Sequence, residues 1–172
     1  VPIRPRRVRT ILLTVLALVL TAAASAYAAT TLRGAKDAPV VRTALAQDVD
    51  PAGARGQTLG LSRVTVEPGA ELALHRHPGT QIAYIQRGTL TYWVVRGRPV
   101  EVRSGSPEAS GGARLIRRIA AGQSGKVRAG QWVVELPGTI HHAANRGDVE
   151  IEILIASLFK DGKPAAIPVP ER

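Results

Sequence analysis

The chain has no cysteine and no methionine, and its 172 residues include only two Trp, three Tyr and one Phe. Without cysteine there can be no disulfide, no thiolate metal site and no cysteine nucleophile. The lack of disulfides does not argue against export, because a chain of this size can build its core without covalent staples. The shortage of aromatics excludes another class. Nucleic-acid binding wants basic clusters interleaved with aromatic side chains. Here the cations are scattered, and only Arg114, Arg117 and Arg118 lie close together. A solvated basic surface accounts for them.

Two further absences mark the beginning of the chain. Residues 1–10 carry four arginines and no acid, and residues 11–29 carry no charge at all. A basic start, an apolar stretch tapering into alanines, and the small-x-small triplet Ala26-Tyr27-Ala28 make residues 1–28 a secretory signal peptide. The rival reading is an uncleaved anchor, since such a stretch is just long enough to span a bilayer. Arg6-Arg7 hints at a twin-arginine signal, but Arg9-Thr10 stands where that signal wants apolar residues. The opening Val fits a bacterial alternative start codon, or trimming. The expected location is therefore periplasmic or extracellular, with membrane attachment only if 11–29 is retained. Removing 1–28 leaves 19 basic against 13 acidic side chains, so much of the formal charge of +10 leaves with the first ten residues.

Residues 29–56 show no sustained hydrophobic period and read as a linker, with one edge strand around Val40–Leu45. From Gln57 the texture changes to short β-rich runs separated by Gly and Pro-Gly punctuation, as in an all-β sandwich or barrel. The predicted strands are 58–66, 71–77, 81–87, 90–96, 99–103, 115–120, 126–128, 131–136, 141–145 and 150–159. Within the last, Ile151, Ile153 and Ile155 share one face and Glu150 and Glu152 the other. In 90–96 both faces are apolar, which predicts a strand covered on both sides. Residues 104–113 read as a loop, and three prolines keep 164–172 out of any central strand. The barrel is thus expected over 57–160, with 161–172 a tail along its outside.

Chemistry concentrates in two stretches. In the first, Gly69-AELAL-His75-Arg-His77-PGT-Gln81-IAYIQR-Gly88, two histidines at i and i+2 on a strand point to one face and can share an ion. Taken alone they could equally be an exposed polar edge. Gln81 opens the next strand after a Pro-Gly turn, across from the pair. The second stretch, Gly130-QWVVEL-Pro137-Gly138-TI-His141-His142-AA-Asn145, is again strand, tight turn and strand, with a histidine just past the turn. Imidazole ligands suit Zn, Cu, Fe or Ni.

These stretches resemble the paired motifs of the cupin superfamily. Gly69, His75, His77 and Gly88 fit the first at its spacing, with Gln81 where a glutamate is expected. Gly130, Gly138, His141 and Asn145 fit the second, with Leu136 in the proline place and Pro137 displaced by one. The resemblance implies a double-stranded β-helix, or jelly roll, holding one divalent transition metal (Fe, Mn, Ni, Zn or Cu) on His75, His77, Gln81 and His141. His142 is left outside the set, since adjacent strand residues face opposite ways. Gln81 keeps an oxygen donor but not the charge of a glutamate; it serves either as an amide ligand or as a hydrogen-bond donor behind the ligands. Glu135 is the one acid near enough in sequence to His141 to replace that charge, and it is not counted in the ligand set. Tyr84, Tyr92, Trp93 and Trp132 read as barrel packing.

Fold does not fix function. The leading expectation is an exported metal-binding barrel that binds or transforms a small oxygen-rich organic molecule, as a dioxygenase, isomerase or lyase. The alternatives are a non-catalytic ligand-binding or envelope-associated protein with a weak or vestigial metal site, and a membrane-tethered partner domain. Leu72 and Leu74, on the face opposite His75 and His77, call for cover, and a homodimer through that sheet would supply it.

Overall fold

The computed structural model describes residues 32–33, 39–106 and 112–170. The segment read as a signal peptide or anchor lies outside the described residues. Among those described there is no helix long and apolar enough to cross a membrane. The architecture is all strand and turn, arranged as two antiparallel sheets.

Eight strands form the larger sheet. In chain order they are β1 (Leu32–Arg33), β2 (Pro39–Val49), β3 (Gln57–Val66), β5 (Gly79–Arg87), β7 (Val100–Ser104), β8 (Arg114–Ile119), β10 (Gln131–Glu135) and β12 (Ile151–Lys160). Their spatial order is β1-β2-β3-β12-β5-β10-β7-β8. The smaller sheet runs β13 (Ile167–Pro168), β4 (Glu71–Arg76), β11 (Ile140–Asn145), β6 (Thr89–Arg96) and β9 (Gln123–Arg128). Neighbours far apart in sequence, such as β12 beside both β3 and β5, give the crossed connectivity of a jelly roll.

Period-two alternation explains which faces meet. Ile151, Ile153 and Ile155 of β12 are buried in the core cluster with Val64 and Val66 of β3, Ile85 of β5 and Val133 of β10. From the smaller sheet, Leu90, Tyr92 and Val94 of β6 and Val127 of β9 close the same core. Val40 is buried with them, so the strand expected near 40–45 runs the length of Pro39–Val49 and pairs with β3. Apolar burial of this kind contributes about 25 cal/mol per Å² removed from water.

Three expectations about faces need correction. The alternate residues of β6 are not covered: Val95 is 46% exposed, and Trp93 keeps to the outer surface, stacked on His142. Tyr84 and Trp132 are cross-strand neighbours on the outer face, with Tyr84 exposed and Trp132 half-buried. Leu72 packs against the core rather than facing away from it. The reason is a bulge: β11 pairs His141 with His75 but Ala143 with Leu72, so β4 spends one extra residue over that interval. A bulge breaks the two-residue period and re-aims the side chains beyond it. Both Leu72 and His75 therefore turn inward.

The motif residues that carry no chemistry hold the frame. Gly88 takes φ +79° and leaves no room for a Cβ, which would meet Ile151 Cγ1 at 2.9 Å. Asn145 is buried on β11 and ties the sheets together, its amide donating to Val66 O at 2.8 Å and Val149 O at 2.7 Å. Its Oδ1 accepts from the Gly147 amide at 3.0 Å. Asn145→Ala leaves these groups unpartnered and should cost about 2–4 kcal/mol. Urea unfolding checks it; a midpoint unchanged from wild type would remove Asn145 as the tie.

Candidate metal centre

The centre is assembled from two cross-strand pairs and one turn residue. On the smaller sheet His75 of β4 lies opposite His141 of β11. On the larger sheet Gln81 of β5 lies opposite Glu135 of β10. His77 sits between β4 and β5, where the chain passes from one sheet to the other. All five side chains are buried. His75, His77 and His141 offer ligand atoms within 4.8 Å of one another and could hold a metal ion. The smaller sheet's bulge and the turn after His77 bring together the three histidines that the sequence singles out.

The hydrogen bonds determine which ring nitrogens are free. His75 Nδ1 lies 2.6 Å from Ala73 O, and His77 Nδ1 lies 2.6 Å from Ala165 O. A carbonyl can only accept, so both Nδ1 atoms carry the hydrogen. For the neutral ring, the Nε2 lone pair is then left to face the centre. His75 is such a ring: burial, then the nearby His141 and His77, lower its pKa to about 3. Burial likewise lowers the pKa of His141, against the opposing pull of Glu135. Neutral imidazoles oriented through their other nitrogen are the form in which histidine binds metals.

Glu135 enters the centre from the opposite wall. Its Oε2 is 3.4 Å from His77 Nε2 and its Oε1 is 3.4 Å from His141 Nε2. The Tyr92 hydroxyl donates to Oε1 at 2.7 Å, and the Gln81 amide donates to Oε2. Burial alone would favour the neutral acid, but His141, His77 and the Gln81 bond outweigh it and hold the carboxyl well below its usual range. Burial and the same carboxylate push the Tyr92 phenol well above its usual value. Tyr92 therefore stays protonated as a donor. Its ring stacks on His141 at 5.0 Å, as Phe159 of β12 stacks on His77 at 5.6 Å.

Gln81 is placed in the centre, but with its NH₂ group toward the other members. That nitrogen bonds Glu135 and lies 3.1 Å from His77 Nε2, while Oε1 is buried with no partner. Turning the amide over would set its oxygen against the carboxylate, so Glu135 fixes the orientation. His142 faces away, half-buried, its ring 4.6 Å from that of Trp93.

Two members of this centre lie outside the ligand set that the motifs imply. Tyr92 looks like core because it is core, and nothing local marks its hydroxyl. Glu135 carries a usable signal, since it alternates with Val133 and so shares an inward face with a core residue. What the sequence lacks is the register that sets it beside Gln81.

A metal fits these residues. Three buried histidines lie beside a buried carboxylate, and carbonyls hold Nδ1 of His75 and His77 so that Nε2 is the ligand atom each can offer; a cation suits this set of donors. The donors are nitrogen and oxygen only, as suits Mn, Fe, Ni, Cu or Zn.

Residues 62–106, which include His75, His77 and Gln81, match the family described as Cupin domain. Among solved structures, a cupin superfamily protein from Desulfitobacterium hafniense aligns over 70% of this chain and 77% of its own, at 14% identity and TM-score 0.46. Oxalate decarboxylase from Bacillus subtilis, whose Mn(II) centers were studied, aligns over 82% of this chain at 20% identity and TM-score 0.47. A formate complex of oxalate decarboxylase from Lactobacillus farciminis aligns over 76% at 17% identity and TM-score 0.45. This chain spans less than a third of either decarboxylase, 29% and 31%. No curated protein matches the sequence. The family match falls on the strands and two histidines of the first half of a jelly-roll barrel, whose second half completes the histidine set, and residues 62–106 are thus similar to a cupin domain.

Proposed function

We propose that this chain is an exported cupin that holds one divalent transition metal ion on His75, His77 and His141 and binds or transforms a small oxygen-rich organic molecule beside it. The observation that carries the reading is the convergence of three buried imidazoles whose ligand atoms lie within 4.8 Å of one another. When bound, the metal supplies a Lewis acid, or an oxygen-activating centre if it is redox-active. The protein's part is orientation. Ala73 O and Ala165 O fix two of the rings, and Phe159 and Tyr92 pack flat against His77 and His141 to keep them from turning. A dication facing the Glu135 carboxylate leaves the centre with net positive charge, which favours an anionic oxygen ligand such as a carboxylate or enolate.

A binding role without catalysis has one observation in its favour. His75, Glu135 and Tyr92 all have their pKa values moved away from neutrality, so none is poised to exchange a proton near pH 7. A catalytic version that spares these three groups proton transfer would work through polarisation or electron transfer at the metal. Oxygen uptake by the Fe(II)-loaded protein with phenolic or diketone substrates separates the two roles.

Three measurements bear on the proposal. Protein purified from the exported compartment should contain about one transition metal ion per chain by elemental analysis, and His75→Ala or His141→Ala should remove nearly all of it. Retention of full metal by both variants would overturn the centre. Intact-mass measurement of the exported protein should give an N-terminus at Ala29, whereas a retained 11–29 segment would make it a tethered domain. Chelator-treated protein should lose stability as pH falls from about 6.5 toward 3. The unfolded chain there takes up a proton that buried His75 refuses, an effect on the order of 3 kcal/mol, and Glu135 adds to it in the same direction at the acid end. Urea midpoints measured across that range check the sign.

A further inference from the structure

Position 81 holds an amide where a charged ligand would be expected, yet a buried carboxylate stands directly across the ladder from it. We propose that Glu135 supplies the anionic ligand of the metal centre, and that Gln81 serves as the hydrogen-bond donor that aims it. The inference rests on the metal-binding reading and adds to it a fourth protein ligand from the opposite wall.

Distance supports this. Two donor atoms each about 2.1 Å from one ion at tetrahedral angles lie about 3.4 Å apart. Glu135 Oε2 and Oε1 lie 3.4 Å from His77 Nε2 and from His141 Nε2. Geometry of the ladder supports it as well. Directly opposite residues in an antiparallel pair have Cβ atoms about 4.5–5.5 Å apart. A carboxylate on β10 can therefore reach the place that one on β5 would occupy.

Charge points the same way. Glu135 is 3% exposed, and its ion-pair partners among the described residues are His77 and His141, with no Lys or Arg. A carboxylate taken out of water costs several kcal/mol unless a positive partner compensates it. Its remaining lone pairs are taken up by Tyr92 and Gln81, both of which donate. Such a clamp leaves the histidine-facing side of the carboxylate as the free one. The buried Oε1 of Gln81 bonds none of these groups, which fits an amide recruited for its N–H rather than its oxygen.

Co(II) binding tests the assignment with a readout independent of turnover. Apo wild type, Glu135→Gln, Glu135→Asp and the exchange variant Gln81→Glu/Glu135→Gln are titrated against a chromophoric chelator. The visible d–d spectrum then reports the ligand set, and circular dichroism reports the fold. Glu135→Gln should weaken Co(II) binding at least about tenfold and alter the spectrum. Glu135→Asp, which keeps the charge but loses one methylene of reach, should also weaken binding and alter the spectrum. The exchange variant should bind near wild-type strength, and it decides the matter if Glu135→Gln does not fold. A Glu135→Gln or Glu135→Asp protein with the wild-type spectrum would overturn the ligand role, as would an exchange variant that binds no better than Glu135→Gln. Wild type that binds no Co(II) would instead remove the metal centre itself. The two failures are therefore distinguishable.

Discussion

Everything at the mouth of this barrel depends on two strand registers. One sets His75 against His141 on the smaller sheet, and the other sets Gln81 against Glu135 on the larger. A slip of one residue in either would turn the whole strand inside out, because side chains alternate with a period of two. Each register is held well away from the centre by the apolar core. Ile153 and Ile155 of β12 pair with Ile85 and Ala83 of β5, and those contacts leave β5 one way to lie. Polar precision at one end is thus a product of hydrophobic packing at the other.

The side chains behind the histidines show the same economy. The groups bonded around the histidines divide into donors to Glu135 and acceptors from an Nδ1 hydrogen. For His75 and His77 this leaves Nε2 toward the centre, while Tyr92 and Gln81 aim their hydrogens at the carboxylate. It also explains why Tyr92 is placed where its ring can stack on His141 while its hydroxyl steadies the acid. One residue restrains two others, from the middle of a core strand.

Much of this is legible in the sequence, for identifiable reasons. Strands such as Ile151–Lys160 announce themselves through strict alternation, and the histidine offsets are fixed by turns whose glycines and prolines are visible. What stays hidden depends on pairing between distant segments. The bulge in β4 redirects Leu72 into the core, and nothing within residues 71–77 reveals that the strand carries one residue too many for its partner. The outward placement of Tyr84 and Trp132 is hidden similarly, since aromatic residues in a strand look alike whichever face they take. Glu135 is the most instructive case. Its alternation is readable, but its relation to Gln81 exists only once β5 and β10 are aligned.

The bond from His77 to Ala165 joins positions 88 residues apart. The three histidines are all translated by position 141, yet the carbonyl that aims one of them arrives later. A ribosome-bound chain that has emerged only through β12 carries all three histidines but lacks the part that orients the second. The orientation of His77 thus waits for the segment that carries Ala165 to reach it.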